Sequence, residues 1–203
     1  MTEQVTTIDL LRHGECTGGN IMRGRIDVPL TDDGWQQMAN AVQQIEHCER
    51  IITSPMQRCQ RFADDLGQSK KLSVHVEDDL REMDFGELDG QSVEESLRRH
   101  PELMAALYRQ PDDLQLPGGE SFRDFAERVV AGFNQVLDRF AGDHLLLITH
   151  GGVIRVLLMH LLQTPWSSTS RLHVPYACHV RFKIYGEGTA SHPVLSLFNT
   201  REQ

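Results

Sequence analysis

Ile8-Asp9-Leu10-Leu11 runs straight into Arg12-His13-Gly14-Glu15, and Leu145-Leu146-Leu147-Ile148 runs straight into Thr149-His150-Gly151-Gly152. A short apolar run closed by a glycine turn reads as a buried strand, here Thr6 to Leu11 and Leu145 to Thr149. Each strand delivers a His-Gly at its carboxyl end. Open α/β sheets bind ligands outside the carboxyl ends of their strands. If the two strands are neighbours, His13 and His150 face one crevice. The glycines let backbone approach a ligand closely, and a following helix offers free N–H groups to an anion.

Working outward, Ile51 and Ile52 mark the centre of a third strand and Leu72 to Val76 a fourth. Helical patterns lie between them. Thr31 can cap a helix in which Trp35, Met38, Val42 and Ile45 recur at spacings of three and four. Ser92 and Glu95 form a capping-box pattern ahead of Leu97, Met104 and Leu107. From Ser121 the apolar stripe Phe122, Phe125, Ala126, Val129, Val130, Phe133, Val136, Leu137 and Phe140 follows one helix face. Gln110 to Glu120, with Pro111, Pro117, Gly118 and Gly119, reads as a loop. Two further strand candidates follow, His173 to Ile184 and Val194 to Phe198. Pro175 puts the start of the first at an edge or outside the ladder. Strands alternating with helices predict a layered α/β fold with a mainly parallel central sheet, carrying a small helical insertion at about 78–142.

The chain has 203 residues, enough for one domain with its own core, and a formal net charge of −9 from 20 Lys+Arg and 29 Asp+Glu. Hydrophobic residues make up 39% and charged residues 24%, an ordinary globular balance. An acidic chain repels nucleic-acid phosphates and anionic lipid on average, so neither is expected as a partner. Cys16, Cys48, Cys59 and Cys178 form no C-x-x-C pair and read as reduced intracellular thiols. Met1 to Thr7 lacks an apolar signal core, and Val153 to Leu162 is too short to span a bilayer. A cytoplasmic location is expected.

Two more segments carry chemistry. Thr53-Ser54-Pro55-Met56-Gln57-Arg58 follows the third strand, and a Ser-Pro start would open a helix with Arg58 in its first turn. That guanidinium could join Arg12 on a tetrahedral oxyanion. Glu82 stands in Leu80-Arg81-Glu82-Met83-Asp84-Phe85-Gly86. Taken singly, such an Arg or Glu reads as a solvated surface charge. No G-x-x-x-x-G-K-[ST] loop is present, no cysteine has an Arg six positions on, and no zinc spacing occurs.

In this order and spacing the segments resemble the histidine phosphatase superfamily, its phosphoglycerate-mutase-like branch in particular. The resemblance rests on Leu10-Leu11-Arg12-His13-Gly14-Glu15 with Asn20, Pro29-Leu30-Thr31 with Gly34, Ser54-Pro55 with Arg58, and Leu80-Glu82-Phe85-Gly86. Pro117-Gly118-Gly119-Glu120-Ser121 and Thr149-His150-Gly151-Gly152 complete it. It implies a three-layer fold and a metal-independent phosphomonoester hydrolase without cofactors. It implies that His13 is the nucleophile that becomes phosphohistidine. Arg12, Arg58 and His150 would cradle the phosphoryl oxygens, with Gly151 beside them and Asn20 at a further phosphate-pocket position. Glu82 would protonate the leaving oxygen and later activate water. An unprotonated attacking nitrogen requires the other ring nitrogen of His13 to donate, and a backbone carbonyl is the expected acceptor. Cys16 stands where Thr or Ser is usual, Cys16 to Asn20 carries one extra residue, and Leu88-Asp89 replaces a frequent Trp-Glu pair.

Met83 to Gly90 and the short stretch between Phe85 and Gly119 look most like bacterial α-ribazole phosphatases, which act in assembly of the cobalamin lower ligand. A broad-specificity phosphatase, a phosphoglycerate-mutase-type transferase and a non-catalytic phosphate-binding regulatory module are the alternatives. The implied partners are a small phosphate ester and, at most, a second copy in a homodimer.

Overall fold

A computed structural model describes residues 4–109, 114–186 and 191–199. Within these residues six strands form one sheet: β1 (Val5–Arg12), β2 (Arg50–Thr53), β3 (Ser73–Val76), β4 (His144–Thr149), β5 (His179–Tyr185) and β6 (His192–Asn199). Their order is β3-β2-β4-β1-β5-β6. The first four in that order run parallel, and β5 and β6 extend the sheet by antiparallel pairing. Among the described residues six α-helices accompany it: α1 (Asp32–Val42), α2 (Gln57–Lys70), α3 (Val93–Arg99), α4 (Pro101–Arg109), α5 (Phe122–Arg139) and α6 (Gly151–Leu161). No described helix is long and apolar enough to cross a membrane.

Both faces of the sheet are covered. Leu11, Ile51, Leu146 and Ile148 pack with Met38, Phe62 and Leu66 from α1 and α2. Ile8, Leu10, Ile52, Leu145 and Leu147 pack with the stripes of α5 and α6. This is the expected three-layer sandwich, and it explains why β1 and β4 read as continuous apolar runs: strands buried on both faces have no polar side to alternate with.

The strand and helix expectations hold with local corrections. Thr31 caps α1 through the Gly34 N–H (2.9 Å), but the helix ends at Val42 and Ile45 lies beyond it. Helix α2 starts at Gln57 with Met56 as its N-cap, so Pro55 lies ahead of the helix instead of opening it; Arg58 is still in the first turn. Ser92 accepts from the Glu95 N–H as a capping box does, yet the helix stops at Arg99 and α4 begins at Pro101. The proline ring disfavours helical geometry at His100. Leu97 is 49% exposed, so it does not belong to the core stripe. The β5 ladder begins at His179, which leaves Pro175 outside it, and Pro193 is accommodated because β6 is an edge strand. Within the expected loop, 110–113 fall outside the described residues, while Gln115 bridges to Ser121.

Candidate active site

The register of β1 on β4 pairs Arg12 with Thr149, so the two His-Gly turns leave the sheet side by side. The His13 N–H donates to Thr149 O (2.9 Å), and the rings of His13 and His150 stand 5.3 Å apart at 63°. Gly14 is required by packing: a Cβ there would sit 2.0 Å from Gly34 O, where the turn lies on the first turn of α1. Thus β1, β4, α1 and α6 together fix where the two imidazoles can be.

Hydrogen bonds assign both tautomers. His13 Nδ1 lies 2.8 Å from Gly14 O, and a carbonyl can only accept, so Nδ1 carries the proton and Nε2 keeps its lone pair. That is the expected arrangement. The thiol of Cys16 lies 3.4 Å from the same Nδ1. In His150, Nδ1 accepts from Arg58 Nε (3.2 Å), so Nε2 carries the proton and donates to Ser54 Oγ (2.7 Å). Burial, followed by the charges of Arg12 and Arg58, holds His13 well below the usual histidine range. Burial and Arg58 do the same to His150.

Arg12 packs its guanidinium 4.4 Å above the Tyr176 ring and donates from Nη1 to Val174 O (2.6 Å). Its buried Nε has no hydrogen-bond partner among the described residues and faces Gly151, where a Cβ would come within 3.2 Å. Arg58 is wholly buried behind the histidines, where it also donates to the carbonyls of Arg23, Gly24 and Ile26. Asp89, at the position that departs from the family pattern, accepts the N–H groups of Gly24, Arg25 and Ile26. The turn that holds Arg58 is therefore itself held from the segment following Phe85.

Glu82 reaches the same place from an irregular segment. Its Oε2 accepts from the Gly152 N–H (3.0 Å) at the start of α6, and its Oε1 from the Met83 N–H (3.2 Å). The carboxylate sits where a side chain on Gly152 would be, since a Cβ there would lie 2.2 Å from Oε1. Arg12, His13, Glu82 and Gly152 line one cleft of about 260 Å³, with exposed Asn20 at its edge.

The structure thus brings Arg12, His13, Glu82, Arg58 and His150 together. His150 and Arg58 adjoin His13 from behind and are not among the cleft-lining residues. Sequence reading gave no role to Ser54, Gly152, Arg23, Tyr176 or Arg155. Ser54 and Gly152 stood within quoted motifs. Arg23 and Tyr176 had no local signal, for Arg23 donates to the Tyr176 hydroxyl (3.4 Å) across more than 150 residues; Arg155 had one, since it stands one helical turn after Gly151 and so on the same face of α6. Three guanidiniums and one carboxylate line the cleft, a local excess of positive charge in an acidic chain. Its other wall is apolar, with Met83, Phe85, Leu107, Phe122 and Phe125. Among the described residues no cluster of three or more His, Cys, Asp or Glu could hold a metal ion.

The arrangement can do nucleophilic chemistry on an anion: a neutral imidazole with a free nitrogen, cations beside it, and a carboxylate opposite. The profile of the histidine phosphatase superfamily (branch 1) matches residues 8–195. The bifunctional protein Rv2228c of Mycobacterium tuberculosis is 31% identical over 92% of this chain and 52% of its own length. The chain thus spans about half the length of that relative. A metal-independent phosphoserine phosphatase of Arabidopsis thaliana is 30% identical over 83% of this chain and 73% of its own length. The structure of an α-ribazole phosphatase from Shigella flexneri superposes with a TM-score of 0.80, at 22% identity, over 95% of this chain and 96% of the other.

Proposed function

The chain belongs to the histidine phosphatase superfamily, and on that premise we propose that it is a metal-independent phosphomonoesterase working through phosphohistidine at His13. The observation that carries this reading is the Nδ1–H bond from His13 to Gly14 O, which leaves the Nε2 lone pair free to attack. Nε2 attacks phosphorus, the ester P–O bond breaks, and Glu82 gives its proton to the departing oxygen. Water then attacks the phosphohistidine while Glu82 takes its proton, which returns imidazole and releases phosphate. Splitting one displacement into two suits an imidazole nucleophile. Phosphoryl transfer needs positioning and charge stabilisation above all; Arg12 offers its charge in the cleft, Arg58 adds a second charge from behind His13, and His150, held between Arg58 and Ser54, helps fix their places. Gly151 lets Arg12 lie against the start of α6, and Asn20 contributes at the cleft edge.

For the leaving group, the apolar wall of Phe85, Phe122 and Phe125 suits a flat aromatic base, and α-ribazole 5′-phosphate is the substrate we assign. Arg155 favours a second reading. A cation beyond the phosphate cradle suits an ester whose leaving group bears a carboxylate, as in phosphoserine.

Rapid-quench turnover of p-nitrophenyl phosphate tests the chemistry. A stoichiometric burst and a phosphoenzyme are expected, both lost in His13→Ala. Near-normal turnover by His13→Ala would remove the mechanism. Comparing kcat/KM for α-ribazole 5′-phosphate, phosphoserine and 3-phosphoglycerate decides between the substrate readings.

A further inference from the structure

The segment that carries Glu82 has neither helix nor strand from Arg81 to Phe85. An acid on such a chain needs some other restraint, because loop backbone left to itself samples many positions. All four consecutive carbonyls from Asp79 to Glu82 are taken by side chains. Thr149 Oγ1 donates to Leu80 O (2.9 Å). The other three belong to Arg128, whose Nη1 donates to Asp79 O (2.7 Å) and Arg81 O (3.0 Å) and whose Nη2 donates to Glu82 O (3.1 Å).

The remaining donors of Arg128 go to Glu120, Nε to Oε1 (2.6 Å) and Nη2 to Oε2 (2.9 Å). Every N–H of the guanidinium is then engaged. Glu120 closes the circuit. Its Oε2 accepts the Asp84 N–H (2.9 Å), and its own N–H donates to Asp84 O (3.1 Å). Close packing supports the contact, for a Cβ on Gly119 would lie 2.4 Å from Asp84 O. Phe125 lies under the Arg128 guanidinium (5.2 Å) and also borders Gly152, the residue that receives the Glu82 carboxylate. The Pro117-Gly118-Gly119-Glu120 turn, which the chemistry of His13 leaves unused, thus reaches the acid through one arginine.

We infer that Arg128 and Glu120 are positioning residues for Glu82. Their bidentate pair holds the backbone of residues 79–84 so that the carboxyl reaches the leaving oxygen. The inference rests on the acid role given to Glu82 above. A lysine at 128 would keep the charge and lose the fork, and so could hold only part of the segment. A misplacement of about 1 Å at a reacting group costs on the order of 100-fold.

The test compares kcat/KM, which reports the phosphorylation of His13 and not the later attack of water, for an alkyl phosphate, whose leaving group needs a proton, and for p-nitrophenyl phosphate, whose leaving group does not. Arg128→Lys and the milder Glu120→Gln should each lower the alkyl-to-aryl ratio by about 10- to 100-fold. In a Glu82→Gln background, Arg128→Lys should change the ratio no further, because the acid it positions is already absent. Equal loss on both substrates, or a ratio that falls further in the double variant, would overturn the inference and leave the pair as stabilising structure. If Glu82→Gln alone loses both activities equally, the acid role itself fails and the inference with it. Should Arg128→Lys not fold, Glu120→Gln in the same cycle distinguishes the same outcomes.

Discussion

Replacing Gly152 by Ala probes the acid through a single methyl group. The added Cβ would lie 2.2 Å from Glu82 Oε1, and ordinary contact begins at 3.4 Å, so the carboxyl must retreat by about 1.2 Å. It would lose the Gly152 N–H bond in doing so. A displacement of that size at a reacting group costs about 100-fold in rate, or about 2.7 kcal/mol of transition-state stabilisation. Folding should be spared. The severe clash is with the end of a side chain, Phe125 Cζ at 3.3 Å need give by only about 0.1 Å, and in the first turn of α6 Ala is the better helix former by up to about 1 kcal/mol. The variant should therefore show an unchanged or raised Tm while kcat/KM on an alkyl phosphate falls about 100-fold. On p-nitrophenyl phosphate the fall should be much smaller. Retention of alkyl-phosphate turnover within threefold of wild type would refute the placement of Glu82. A collapse of Tm would refute the packing argument.

Stability should respond to pH through the two site histidines. Both are held well below the usual histidine range, so below about pH 6.5 the unfolded chain binds protons that the native state does not, and stability falls as pH drops. Two protons give a slope of up to about 2.7 kcal/mol per pH unit, and His75 and His160, shifted the same way by burial, add to it. Urea midpoints between pH 7.5 and 5.5 read this slope, which His13→Ala should reduce; an equal midpoint at both pH values would contradict it. Away from the cleft, Asp9 is wholly buried and accepts from His144, His179 and Arg181. Burial alone would raise its carboxyl, but these partners together outweigh it and hold the group well below the ordinary range. Its stabilising effect is full above about pH 4 and is lost as pH falls further, so the two windows are separate. Asp9→Ala should cost about 3–5 kcal/mol by denaturation while leaving kcat on p-nitrophenyl phosphate near wild type. A loss under about 1 kcal/mol would count against this network.

Much of the fold was legible because burial writes itself into periodicity. The runs ending at Arg12 and Thr149 read as buried strands, and the stripe from Phe122 to Phe140 reads as a helix with one buried face; both are so in the structure. Boundaries were less legible. Pro101 divides what reads as one amphipathic pattern, and Leu97 falls on the exposed side of the break. Of the site, the segments carrying His13, Arg58, Glu82 and His150 stood out by type and order, because a histidine or arginine at a strand end is a local feature. Tyr176 and Arg128 did not, since each acts on residues far away in sequence.

The sequence by itself determined which side-chain types the chain delivers to the ends of its strands: two His-Gly turns, an arginine following each of two apolar runs, and a carboxylate on a turn. Tertiary structure decided which atoms face which. Only the folded chain gives Gly14 O to His13 Nδ1, sets Ser54 and Arg58 on either side of the His150 ring, and seats Glu82 in the space that Gly152 leaves open. The physical reason is range. Apolar periodicity and turn chemistry act over a few residues and are written locally, whereas a tautomer or a carboxylate's position is fixed by hydrogen bonds and close contacts between segments that meet only when the sheet closes.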